Sequence, residues 1–301
     1  MTELTADFVK TLLPARLENS SKGSFGSVLV IAGSANYRGA AFLSCAAALR
    51  VGTGYVTLAA IPAVVASVSY RLPDAVYVPL KSWRGCIACG EYRRVAPLVR
   101  RCTAVAVGPG LSGVAGTMFH KGGTRGVRRF FARLMLILSG MDIPVVLDAD
   151  GLNFLSELQP LALPRRLVMT PHPKELARLL GTTVEAIQAD RAGSAERAAR
   201  KYGAVVVLKG HRSIVTDGST TFVNSSGNSA LAKAGSGDVL TGVIAGFAAQ
   251  GLSTLDSARF GVWLHGRAGE IASAEKTDFG VLASDLPDYI PRAILSLSAA
   301  P

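Results

Sequence analysis

Short apolar runs recur along this chain with helix-forming segments between them, and that alternation restricts the fold more than any other feature. The runs are 27–32 (SVLVIA), 54–60 (GYVTLAA), 103–107 (TAVAV), 143–148 (IPVVLD), 166–170 (RLVMT) and 204–208 (AVVVL). Most are continuous rather than alternating, as strands buried on both faces are. Two further strands, 213–216 and 220–224, flank Asp217-Gly218-Ser219, turn chemistry that makes a hairpin. Helices are expected over the alanine-rich 38–51, over 173–180 opened by Pro173, and over 183–201 with Glu185 in its first turn. Two more are expected over 235–250 and 255–275. The pattern predicts a three-layer α/β/α sandwich around a mostly parallel central sheet.

There is no internal repeat, low-complexity tract or proline-rich linker, so residues 1–301 read as a single domain. The stretch 112–139 starts as a glycine-rich loop and ends as a helix. An apolar fraction of 49% excludes disorder, and no run approaches the ~20 apolar residues of a membrane span. The first residues carry acids and no apolar signal core, so a cytoplasmic location is expected. The single Cys86–Cys89 pair, CIAC, has no second pair to complete a zinc site and reads as structural thiols. The formal net charge is +11, with basic clusters at 93–94, 100–101, 121–133 and 165–166. Only Phe130 and Phe131 fall within them, too few aromatic residues for a single-strand stacking platform, so no nucleic-acid partner is expected. These clusters read as solvated helix faces whose field favours a polyphosphate ligand.

Ligands of open parallel sheets bind beyond the carboxyl ends of the strands. Here those ends carry GSANYRGA, GPGLSG, DADGLN, TPHPKE and KGHRS, all polar, charged or glycine-rich. One shared cleft is therefore expected. GPGLSG (108–113) gives backbone freedom for close approach. Asp148, Asp150 and Asn153 either orient Mg²⁺ through water or cap the next helix. His172, between two prolines, is either structural or a ligand contact. Lys209, His211 and Arg212 sit beside a glycine turn and suit nucleotide phosphates, as a solvated basic turn also would.

The strongest signal is AGSGDVLTG at 234–242. Gly235, Ser236 and Gly237 can offer successive backbone N–H groups as an anion nest at a helix N-terminus. Such a nest stabilises a transferring phosphoryl group, and Asp238 beside it is placed to take a proton from an attacking hydroxyl. The plainer reading makes Asp238 a helix cap. There is no GxxxxGK[ST] loop anywhere in the chain.

AGSGD before an apolar helix resembles the anion-hole motif of ribokinase-like kinases. KGSFGSVLVIAGS, RGAAFLSCAAALRVGTGYVTLA, VGPGLS, VVLDADGLN, TPHPKELARLLG, VVVLKG and GNSALAKAGSGDVLTGVIAGFAAQG follow one another in order, from about residue 8 to 275. Together they resemble the NAD(P)H-hydrate dehydratase family, the ribokinase-like branch that repairs damaged nicotinamide cofactors. The resemblance implies phosphorylation of the C6 hydroxyl of hydrated NADH or NADPH (the S epimer), with ADP or ATP as donor and Mg²⁺ bridging the phosphates. Elimination of phosphate then restores the dihydronicotinamide, so the overall class is a lyase. Asp238 would be the base, and Gly235, Ser236 and Gly237 the anion hole, with Gly237 also touching the adenine nucleotide. Lys209, Gly210, His211, Arg212 and Ser213 would hold that nucleotide's phosphates, and Asn228 would shape its loop. Ala40, Gly110 and His172 would contact the hydrated dinucleotide, and Asp150 or Asn153 would meet Mg²⁺ through water. The family's habits also imply a homo-oligomer, and a separate epimerase as functional partner, since this chain is too short to include that domain.

Three positions depart from the family pattern: Ala234, Gly151 and Ser112 stand where glycine, alanine and glycine are usual. None removes a group the chemistry needs. A small-molecule kinase acting on a vitamin alcohol would share the anion hole and base, but TPHPKE and GNSALA favour the dehydratase. A catalytically dead nucleotide-binding protein is disfavoured by the intact Asp238.

Overall fold

A computed structural model describes residues 1–112 and 120–298. Its elements in chain order are β1 (Thr2–Glu3), α1 (Ala6–Lys10), β2 (Ser27–Ile31), α2 (Arg38–Arg50), β3 (Tyr55–Ala60), α3 (Pro62–Ser69) and β4 (Val76–Pro79). The small hairpin β5 (Ser82–Trp83) and β6 (Cys86–Ile87) precedes α4 (Tyr92–Val99), β7 (Ala104–Val107) and α5 (His120–Ser139). Next come β8 (Pro144–Leu147), α6 (Asp150–Glu157), β9 (Arg166–Met169), α7 (Pro173–Leu180), α8 (Val184–Ala189) and α9 (Arg191–Tyr202). Last are β10 (Val205–Leu208), β11 (Ile214–Thr216), β12 (Thr221–Val223), α10 (Ser236–Ala249), α11 (Thr254–Gly280) and α12 (Leu286–Ser298).

One ten-stranded sheet runs in the order β1-β12-β11-β10-β9-β8-β7-β2-β3-β4. From β10 to β4 every pairing is parallel; β11 and β12 form the antiparallel hairpin that DGS predicts. β7, β8 and β10 are buried at every residue, so helices must cover both faces. On one side α2, α10, α11 and α12 pack against one another; α4 to α9 form the other layer. The chain works outward from β2 to β4 in one direction and from β7 to β10 in the other. The order therefore switches between β2 and β7, and a crevice opens at such a switch point.

The helix expected over 183–201 is two helices. Asp190 leaves the helical region at φ −142°, and its side chain accepts from the Gly193 amide, capping α9. Short polar side chains compete with helix in this way. The long helix from 254 is likewise broken at Thr277, which sits at φ +62°. The sequence pattern also misses the short strands β1, β4, β5 and β6, which carry too few residues to alternate, and the helices α1, α3, α4 and α12. The loop expected at the start of 112–139 lies mostly outside the described residues; its helical end is α5. Among the described residues no helix is long and apolar enough to cross a membrane.

Candidate active site

The loops after β2, β7 and β8 meet at the switch point. The Gly33 amide donates to the Pro109 carbonyl at 2.8 Å, and the Ser34 hydroxyl to the Ser112 carbonyl at 3.1 Å. Gly108 makes this approach possible: at φ +126°, an added Cβ would lie 1.9 Å from the Asp148 carbonyl oxygen. Under these loops lies a cavity of about 680 Å³. Ala40, Gly110, Asp150, Asn153, Gly235 and Asp238 all line it, so these sequence-predicted residues come together.

Gly235 starts α10 in the left-handed region at φ +94°. The Ser236 amide donates to the Lys233 carbonyl at 3.3 Å, and the Asp238 amide to the Gly235 carbonyl at 3.1 Å. Two N–H groups of the turn, those of Gly235 and Gly237, have no partner among the described residues. The expected three-donor nest is thus a two-donor nest. The Ser236 side chain turns inward and pairs with His265 Nε2 at 3.1 Å. Burial lowers the His265 pKa to about 4, so it is a neutral imidazole that fixes the turn.

Asp238 does not cap α10; Gly235 occupies that position. Its carboxylate accepts no hydrogen bond from the described residues. Burial raises its pKa to about 7, and Asp148, Asp150 and Glu175 add to the rise against the opposing charge of Lys209. That places a carboxylate in the range of a general base at neutral pH.

Behind the turn, Lys209 Nζ lies 2.6 Å from Asp148 Oδ1 and 4.0 Å from Glu175 Oε2. Its side chain is directed inward at the floor of the site. The rest of its loop faces outward: Gly210, His211 and Arg212 are exposed, and the Ser213 hydroxyl donates to the Gly210 carbonyl. Arg212 stands at φ +54°, and Gly210 at φ +134°. Asn228, exposed, accepts from the Ala230 amide and donates to Ser273 Oγ at 2.7 Å, tying its loop to α11. None of 209–213 or 228 lines the cavity, so the structure separates two groups of residues. The anion turn stands between them: Gly235 opens onto the cavity, while a Cβ on Gly237 would lie 3.2 Å from Lys209 Nζ.

His172 is the N-cap of α7. Its Nδ1 accepts from the Lys174 and Glu175 amides, and Glu175 Oε2 accepts from the His172 amide. Burial and the nearby Lys209 hold its pKa down to about 4. Its Nε2 lies 3.4 Å from Glu175 Oε1, and the half-exposed ring does not line the cavity, so the structure does not bring His172 together with Ala40 and Gly110 there.

Asp150 Oδ2 accepts from the Ser112 amide at 2.8 Å, and Asn153 Oδ1 from the Arg178 guanidinium at 2.7 Å. Burial raises the Asp150 pKa, with Ser112 opposing. The described residues contain no group of three His, Cys, Asp or Glu side chains poised to hold a metal. Asn153 is committed to a cation already. The surplus negative charge of Asp150 and Asp238 on the cavity wall nonetheless suits a divalent ion that arrives on phosphates.

The sequence reading missed the far wall. Arg128, from a run assigned to a solvated face, pairs with Glu157 at 2.7 Å there, and Arg178 and Tyr37 stand nearby. Arg178 follows Glu175 by three residues in TPHPKELARLLG, so helical spacing was the signal available.

A family model described as NAD(P)H-hydrate dehydratase matches residues 28–292. A bifunctional NAD(P)H-hydrate repair enzyme Nnr of Thermofilum pendens is 37% identical over 95% of this chain and 53% of its own length. An ADP-dependent (S)-NAD(P)H-hydrate dehydratase of Neisseria meningitidis is 36% identical over 93% of this chain and 87% of its own. The crystal structure of the ADP/ATP-dependent NAD(P)H-hydrate dehydratase of Bacillus subtilis, co-crystallised with ATP/Mg²⁺, superposes with a TM-score of 0.82. It is 30% identical, and the match covers 98% of each chain. The chain spans about half the length of the bifunctional curated relatives it matches.

Proposed function

Because the chain belongs to the NAD(P)H-hydrate dehydratase family, we propose that it restores NADH or NADPH from the S epimer of the hydrated cofactor, with ADP or ATP as phosphoryl donor. The observation that carries this reading is the pairing of an unbonded Asp238 carboxylate with two unpaired N–H groups on one turn. The hydroxyl of the hydrated ring would approach Asp238 from the cavity and give up its proton there. The phosphoryl group would cross at Gly235 and Gly237, whose N–H groups face the charge that develops on its oxygens. Elimination of phosphate then re-forms the ring double bond.

Arg128 and Arg178 on the far wall suit the pyrophosphate of a dinucleotide. Ala40 and Gly110 lack bulk, which leaves room for the ring, and the half-exposed imidazole of His172, outside the cavity lining, would be the third contact. The exposed 210–213 loop and Asn228 would receive the adenine nucleotide on the other side of the turn. Mg²⁺ would neutralise the phosphates and be met by Asp150 through water. Asn153 is assigned instead to orienting Arg178.

The test is direct. Hydrated NADH or NADPH incubated with the protein, Mg²⁺ and ADP or ATP should regain its dihydronicotinamide absorbance. No recovery, with turnover of a vitamin alcohol instead, overturns the reading. Because Asp238 must be deprotonated to act, the rate should fall tenfold per pH unit on the acid side of a limb near the Asp238 value of about 7. A kcat profile flat from pH 5 to 8 would remove Asp238 as the base.

A further inference from the structure

We propose that Asp148 and Thr241 are positioning residues, which together hold the Lys209 ammonium behind Gly237 so that it meets a phosphoryl oxygen bound at the turn. This deepens the reading above and rests on it.

Asp148 is 1% exposed and spends both oxygens on this arrangement. Oδ1 accepts from Lys209 Nζ at 2.6 Å, and Oδ2 accepts from Thr241 Oγ1 at 2.9 Å. Thr241, fully buried one turn into α10, also reaches the Gly237 carbonyl at 3.1 Å. The end of β8 thereby locks the end of β10 to the first turn of α10. Burial works against the Lys209 charge, but Asp148 and Glu175 outweigh it and raise the Lys209 pKa, so the ammonium stays charged. An ammonium has three donors, and Asp148 takes one at short range. Glu175 is too far for a good bond at 4.0 Å. Donors therefore remain for a ligand, and the absence of a Cβ on Gly237 leaves the ammonium open towards the turn. A lysine has four side-chain torsions to fix, so an unanchored ammonium would follow the phosphate in the ground state as readily as in the transition state. Anchoring reserves the contact for the transferring group, which raises kcat without tightening ground-state binding.

The experiment compares Asp148→Asn, Thr241→Val and Thr241→Ser with wild type. Asp148→Asn and Thr241→Val should each lower kcat at least tenfold, while the Kd for ADP by calorimetry is unchanged or tighter. Thr241→Ser, which keeps the hydroxyl, should recover kcat to within about threefold. A kcat within twofold of wild type, or kcat and affinity falling together, overturns the proposal. Because Asp148→Asn removes a buried charge and risks misfolding, the Thr241 pair gives a second, milder test. A slowly exchanging ¹⁵N-ammonium signal from Lys209 should be visible in wild type and lost in Asp148→Asn. That signal needs no turnover. Its presence in a wild type inactive on the hydrate would sink the proposed function and leave the anchoring intact; its absence would sink the anchoring.

Discussion

Replacing Asp238 with asparagine should lower turnover of the hydrated cofactor by roughly 10²–10⁴-fold, the share a positioned general base contributes, and should raise the melting temperature at pH 8. The two effects have one cause. Burial lifts the Asp238 pKa from 3.8 to about 7 in the folded chain. Below 3.8 the group is protonated in both states and costs nothing. Through the window up to 7 the unfolded chain ionises first, and stability falls as pH rises. Above 7 the full cost is present, on the order of 4 kcal/mol from the size of the shift. Asparagine carries no charge and escapes it. Thermal scans at pH 8 and pH 5 should show a stabilisation of several degrees that shrinks at the lower pH, while ADP affinity is spared. A destabilised Asp238→Asn at pH 8 would mean that the carboxylate is held by contacts rather than exposed to strain. Activity purchased with stability in this way is common at active sites.

The fold was largely legible because its central strands are buried on both faces, which writes them as unbroken apolar runs. Edges were not: β1 and β4 bury none of their side chains fully and carry no such run. The site was legible in place more than in orientation. Strand-end loops pointed to Gly110 and Asp150, the AGSGD turn to Asp238 and the family resemblance to Ala40, and all four line one cavity. Where each side chain points depends on its tertiary partner. Lys209 turns inward because Asp148 is buried beside it, His172 spends one ring nitrogen on capping, and Arg128 leaves a basic run for the cavity wall. No local pattern encodes such pairings. The AGSGD turn shows both sides: its donors and acid were readable, but the loss of the Ser236 amide to Lys233 was not.

Replacing Gly242 with alanine should destabilise the protein by about 3 kcal/mol, the upper end for overpacking, and lower kcat/KM about a hundredfold. Gly242 and Gly246 lie on the face of α10 that meets α2. A Cβ on Gly242 would stand 2.1 Å from the Ser44 carbonyl oxygen, and one on Gly246 would stand 2.3 Å from Val51 Cγ2. At Gly242 the obstacle is backbone, which no rotamer change relieves, so the two helices must move apart. Their close contact also has polar seams: Ser44 Oγ donates to the Asp238 carbonyl at 2.9 Å, and Gln250 Nε2 to the Val51 carbonyl at 3.0 Å. Separation would stretch the first seam, which ends on the backbone of Asp238 itself. It would also part Ala40 on α2 from Asp238 on α10, which both line the cavity. A displacement of about 1 Å at a reacting group can cost 10² in rate. The matching control is Gly90→Ala, where an added Cβ meets nothing within 4 Å. Melting temperatures and hydrate turnover of the two variants decide the matter: equal behaviour would show that α2 and α10 have slack, and that the site does not depend on their contact.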